Sequence, residues 1–84
     1  MTNYIALVEQ ASGANEVWSE QKFLVYRGSL ELAVTLMDRG PGEIFRYMAR
    51  AEVTPGRGVE IESTGNPAST PDEALENIHW NEFD

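Results

Sequence analysis

The chain has 84 residues, 42% of them hydrophobic and 10% aromatic, with no cysteine and a formal net charge of −8. That length allows one domain with a small core, and the composition excludes disulfide staples, thiolate chemistry and disorder throughout. The acid excess repels nucleic acid and anionic membrane and favours a basic surface as partner.

The opening residues Met1-Thr2-Asn3-Tyr4 contain no basic segment followed by an apolar run, so no secretory signal is expected. No uncharged apolar stretch approaches the ~20 residues that a membrane span needs. These features set the expectation of a cytoplasmic protein. Tyr4 to Gln10 (YIALVEQ) is rich in aromatic and β-branched residues at its start and predicts a strand, ending in a turn over Ala11–Asn15. Glu16 to Arg27 predicts a second strand, strongest over Lys22–Arg27 (KFLVYR). Both faces of that segment are apolar, which suits a strand inside a sheet or under a helix.

Gly28-Ser29 is read as a helix start, with the Ser29 hydroxyl as N-cap. Leu30, Ala33, Val34 and Met37 then fall at i, i+3, i+4 and i+7, an apolar stripe. Arg39-Gly40-Pro41-Gly42 would end that helix. Glu43 to Val53 fits strand or helix. Strand is preferred, because Thr54-Pro55-Gly56-Arg57-Gly58 resembles a type II turn and Gly58–Ser63 alternates strictly behind it. Thr70-Pro71-Asp72-Glu73 is a helix start: Thr70 caps, Pro71 takes the first helical position, and Glu73 completes a capping box. That helix is expected to reach about Trp80 and to bury Ala74, Leu75 and Ile78. Residues 81–84 form a short acidic-aromatic tail. The expected order is β-β-α-β-β-α over a single domain, residues 1–84: an α+β fold with a small antiparallel sheet and helices packed on one face.

No constellation of residues identifies a reaction. His79 is the single histidine, and Glu76-x-x-His79 supplies only half of a di-iron motif, so no metal or cofactor is expected. Glu60 and Glu62 project from one strand face, as the carboxylates of a glycosidase can, but nothing supplies a sugar cleft. Gly56-Arg57-Gly58 lacks the Lys and Ser/Thr of a phosphate loop. Arg46 and Arg50 share a strand face, where salt bridges to nearby glutamates are the simpler role. The chain is therefore read as no enzyme.

Charge gives the main clue to a partner. Residues 1–51 carry six acids and five bases, whereas residues 52–84 carry eight acids against Arg57 alone. The candidate partner-binding residues are Glu60, Glu62, Asp72, Glu73, Glu76, Glu82 and Asp84, with Trp18 or Phe83 as an apolar anchor. An exposed edge strand could add a partner's strand or that of a second copy, making a homodimer.

Size, acidity, lack of cysteine and the expected strand and helix order resemble small phage-encoded anti-defence proteins, the anti-CRISPR and anti-restriction inhibitors. Phe23 to Met37 (FLVYRGSLELAVTLM) is similar to segments in several of them. The resemblance implies binding without chemistry, on the nucleic-acid channel of a Cas complex or related nuclease. Tyr4–Glu9 and Thr70–Ile78 also resemble, more weakly, the opening strand and helix of antitoxins with a partial double-stranded-RNA-binding-domain-like fold. The aromatic-proline segment and the DNA-binding module of those proteins are missing here. Two functions are thus carried forward. One is an inhibitor that docks an acidic surface on a basic, nucleic-acid-binding protein. The alternative is a toxin-neutralising or other interaction module with an apolar interface.

Overall fold

The computed structural model describes residues 4–54, 56 and 58–84. Met1 to Asn3, used for the signal-peptide reading, lie outside the described residues, as do Pro55 and Arg57 of the expected type II turn. Two helices and a four-stranded antiparallel sheet follow in the order α1 (Ile5–Ser12), β1 (Ser19–Arg27), β2 (Leu30–Asp38), β3 (Tyr47–Val53), β4 (Glu62–Thr64) and α2 (Pro71–Glu76). A 3-10 turn over Trp80–Phe83 closes the chain. The strands stand in sequence order, a meander. The fold is α+β as expected, but helices stand at the ends of the chain and four strands run consecutively between them.

Two expectations fail for physical reasons. Tyr4–Gln10 is not a strand: Ile5–Ser12 is helical. Its Ala, Leu, Glu and Gln are good helix formers, and they outweigh one aromatic and two β-branched residues. Gly13 ends the helix in the left-handed conformation (φ 69°), with its N–H bonded to the Glu9 carbonyl. Leu30–Met37 is not a helix but a central strand. Leu30, Leu32, Val34 and Leu36 also alternate with Glu31, Ala33 and Thr35, and this period of two prevails. The decisive local signal is Gly28-Ser29. Gly28 has φ 62° and Ser29 a negative φ, the pattern of a type II′ turn, and Arg27 pairs directly with Leu30 across it.

Register divides the sheet into two faces. On the covered face, Leu32, Val34, Ala49, Ala51 and Val53 meet Ala68, Ala74, Ile78 and Phe83 in one core. Leu32, Ala49 and Ala51 have no exposed surface. Small side chains on β3 let α2 lie close over it. Gly65 makes the same approach possible: a Cβ there would stand 2.6 Å from the Asn77 carbonyl carbon. The Asn77 amide also donates to the Asn66 carbonyl at 2.8 Å, and the His79 N–H donates to the buried Ser63 hydroxyl at 2.9 Å. Thr70 caps α2, accepting from the Glu73 N–H, with Pro71 behind it as expected. The helix ends at Glu76 rather than Trp80.

Residues 81–84 are no free tail. The 3-10 turn carries Phe83 into the core at 3% exposure, beside Trp80 with ring centroids 6.3 Å apart. Its burial contributes about 2 kcal/mol. The expected second hairpin also forms differently. Glu43–Val53 is a strand only from Tyr47, and the β4 partner is Glu62–Thr64 rather than Gly58–Ser63. Among the described residues, no helix is long and apolar enough to cross a membrane.

Candidate protein-interaction surface

The seven carboxylates named from the sequence are all exposed, but they do not form one surface. Asp72, Glu73 and Glu76 lie on α2, which packs over the covered face of the sheet. Glu62 lies in register with Glu52, and this row belongs to the opposite face, called the open face because Leu24 and Glu62 are exposed on it, although Thr35 and Met37 at its centre are buried. A single flat partner cannot cover both groups at once.

The two groups differ in what explains them. Asp72 and Glu73 stand in the first turn of α2, where the exposed N–H groups stabilise negative charge. Asp84 is held by Arg27 at 2.5 Å. Among the described residues, Glu52 and Glu62 enter no ion pair. Directly opposed residues in an antiparallel pair have Cβ atoms about 4.5–5.5 Å apart, and like charges there are destabilising. Among the described residues, the ion pairs are Arg27–Asp84, Arg39–Glu16, Arg39–Glu43 and Arg46–Asp38, so no described cation neutralises either glutamate. Arg50 shares the open face two residues before Glu52 and pairs in register with Thr64. Its Nε is buried without a hydrogen-bond partner. Glu60 lies exposed in the segment leading into β4. Glu82 is exposed in the first turn of the closing 3-10 helix.

The sequence reading missed Glu52, because its significance depends on the β3–β4 register. Glu60 and Glu62 do not share the expected strand, because β4 begins only at Glu62. The partner of Glu62, however, stands ten positions earlier in the chain.

At the other end of β3 the charges are satisfied. Arg46 donates from Nε to Asp38 Oδ1 at 2.6 Å and from Nη2 to Oδ2 at 3.0 Å, a two-pronged pair. The Gly40 N–H adds a third bond to Oδ1 at 2.8 Å. The hydrogen bonds from Arg46 lower the Asp38 pKa below its ordinary value, against the opposing effect of partial burial. The same contact raises that of Arg46. Arg46 also lies over the Tyr47 ring at 5.0 Å. Arg46 thus pairs with an aspartate rather than with one of the expected glutamates, and among the described residues Arg50 enters no ion pair.

The two aromatic anchors fare poorly. Phe83 is in the core and has no surface to offer. Trp18 is half-buried: its indole N–H donates to Glu16 at 2.9 Å and Arg39 lies over its ring at 5.2 Å. It lines an open groove of about 740 Å³ between α1 and the start of β1, with Tyr4, Ile5, Val8, Leu36 and Tyr47. His79 is exposed and its ring enters no metal-binding group: among the described residues, no three His, Cys, Asp or Glu side chains cluster to hold a metal.

No protein-family model, curated protein or solved structure matches the chain.

Proposed function

We propose that the chain is a non-catalytic binding module that docks on the basic, nucleic-acid-binding surface of a partner protein and blocks it. Its carboxylates take the place of phosphates. A defence nuclease, CRISPR-Cas or restriction-type, is the partner class that the resemblance to anti-defence inhibitors implies. The observation that supports this reading is the Glu52–Glu62 pair, opposed in register and, among the described residues, in no ion pair. A fold gains nothing from two opposed carboxylates, but an incoming Lys or Arg placed between them is attracted by both. Glu60 extends the same end of the sheet. The acids of α2 lie on the other side and contribute through the long-range field, which steers a basic partner and speeds association.

The test is affinity capture from host lysate with the tagged chain at about 0.1 M and about 0.5 M salt, where exposed charges are largely screened. The reading predicts a nucleic-acid-binding protein that is retained at low salt, lost at high salt, and lost at both when Glu52 and Glu62 are replaced by Lys. A partner held equally by wild type and E52K/E62K would overturn it.

One observation favours the apolar alternative. Tyr4, just before α1, and Leu7 and Val8 on it are exposed by 65, 57 and 47%, and Tyr4 and Val8 line the groove. Retention at about 0.5 M salt, abolished by Leu7→Asp and Val8→Asp, would point there.

A further inference from the structure

β1 is the long free edge of the sheet. It runs for nine residues in unbroken register with β2, from Ser19↔Asp38 to Arg27↔Leu30, and among the described residues no strand lies on its other side. The opposite edge, β4, has three residues. Sheets protect long edges with proline, bulges, a covering element or charged side chains, lysine above all. β1 has no proline and no bulge, and Lys22 is the one charge in its middle. Its centre is apolar on both faces: Phe23 is 44% exposed on the covered face, and Leu24 is 59% exposed on the open one.

The hairpin geometry says which backbone groups are free. The two-residue turn makes Arg27↔Leu30 a hydrogen-bonded pair, and bonded pairs then recur at Val25, Phe23 and Gln21. The N–H and C=O of Lys22 and Leu24 therefore point away from β2, along the free edge.

We infer that β1 pairs antiparallel with β1 of a second copy, across a two-fold axis at Leu24, to make a continuous eight-stranded sheet. The strand is self-complementary in that register. Leu24 meets Leu24, Phe23 meets Val25, Lys22 meets Tyr26 and Gln21 meets Arg27. Apolar side chains oppose one another on both faces, and no like charges stand directly opposite. Centring on Phe23 instead would set the two Lys22 side chains diagonal to one another. The Leu24 register also uses residues 21–27 and leaves Ser19 and Glu20 beside the groove under α1.

Charge favours this edge for self-association. Two copies at −8 repel. Along β1, however, the charged residues are Glu20, Lys22 and Arg27, so the copies meet where the chain is least acidic. The Glu52–Glu62 pair stays free, two strands away on the open face. A dimer would present that pair twice, related by the two-fold.

Sedimentation velocity from about 1 to about 100 µM tests the pairing, because dimers strengthen with concentration by mass action. The expected result is a species of twice the 9.4 kDa chain mass at the upper end. Leu24→Pro removes an outward N–H, leaves the β1–β2 ladder intact, and should give monomer with an unchanged circular dichroism spectrum. Leu24→Cys provides a second readout in a chain without native cysteine. Cα atoms of a bonded antiparallel pair lie about 5.5 Å apart, within disulfide range, so oxidised glutathione should link this variant into dimers but leave an Asn81→Cys control unlinked. A wild-type monomer across the range would overturn the inference. So would a dimer that survives in Leu24→Pro, or a Leu24→Cys variant that links no better than the Asn81→Cys control. If Leu24→Pro fails to fold, the comparison of the two cysteine variants decides.

Discussion

Two charged pairs flank β3, one beside its start and one near its end. Asp38 and Arg46 meet through two hydrogen bonds, and the Gly40 N–H adds a third. Glu52 and Glu62 face each other, with Arg50 on the same face, and among the described residues neither glutamate enters an ion pair. The first pair closes the connection between β2 and β3, because Asp38 anchors both the chain that leaves β2 and the side chain that precedes β3. The second pair sets two like charges opposite one another across β3 and β4. The matched pair ties two elements together, whereas the opposed like pair opposes the pairing of its two strands.

The comparison is broken most sharply by Glu62→Lys. It turns repulsion across β3 and β4 into attraction and should stabilise the fold by about 0.5 kcal/mol in urea unfolding. On a basic partner it sets like charges face to face, and low-salt capture should fall by a factor of about 100 or more. Asp38→Ala acts on the matched pair and has the opposite signature. It removes charge-assisted hydrogen bonds from the half-buried Arg46 and should cost about 2 kcal/mol in the same unfolding measurement, with capture unchanged.

Acid separates the pairs further. The Asp38 pKa is lowered in the folded state, chiefly by the Arg46 hydrogen bonds. Its contribution is therefore fully present above the ordinary carboxylate value of 3.8 and is lost as pH falls through the lower, folded-state value. The stability gap between wild type and Asp38→Ala should hold steady from neutral pH to about 5 and shrink below about 4. A gap independent of pH down to about 2 would show that the carboxylate charge is not what stabilises the connection. The smallest effect is expected at Trp18. Losing its contact with Arg39 costs about 0.5–1 kcal/mol, and Trp18→Leu, which keeps apolar bulk, should show little more than that in urea unfolding.

Part of this arrangement could be read from residue order. Thr70-Pro71 and Glu73 start a helix wherever they occur, since cap, fixed φ and N–H accounting are local matters. Lys22–Arg27 is legible as a strand from its β-branched and aromatic content, whereas Glu43–Val53 fits strand and helix alike and is decided only by the turn and the alternation expected after it. Leu30–Met37 satisfied the helical and the extended period together, and the stripe i, i+3, i+4 was taken over the alternation. Gly28-Ser29 carried the deciding signal, because a glycine followed by serine between apolar runs suits a two-residue hairpin. Ile5–Ser12 hid behind its aromatic and β-branched opening, although Gly13 was the stop that a helix would need.

The candidate site was legible only in its sign. Composition pointed to an acidic partner surface, and each acid named from it is exposed. Which acids share a face depends on the register of β3 with β4, set by a connection of eight residues, 54–61, that no local rule fixes. Phe83 shows the same limit. A four-residue aromatic tail looks free until the closing turn folds it onto the core and Asp84 reaches Arg27.

The central claim is that Glu52 and Glu62 are held opposed for a partner and at the expense of the fold. Glu62→Gln tests it most directly, with urea unfolding and low-salt capture measured on the same preparation beside wild type. The account predicts that stability rises while capture falls. A variant that loses stability, or one that captures the partner as well as wild type does, would contradict it.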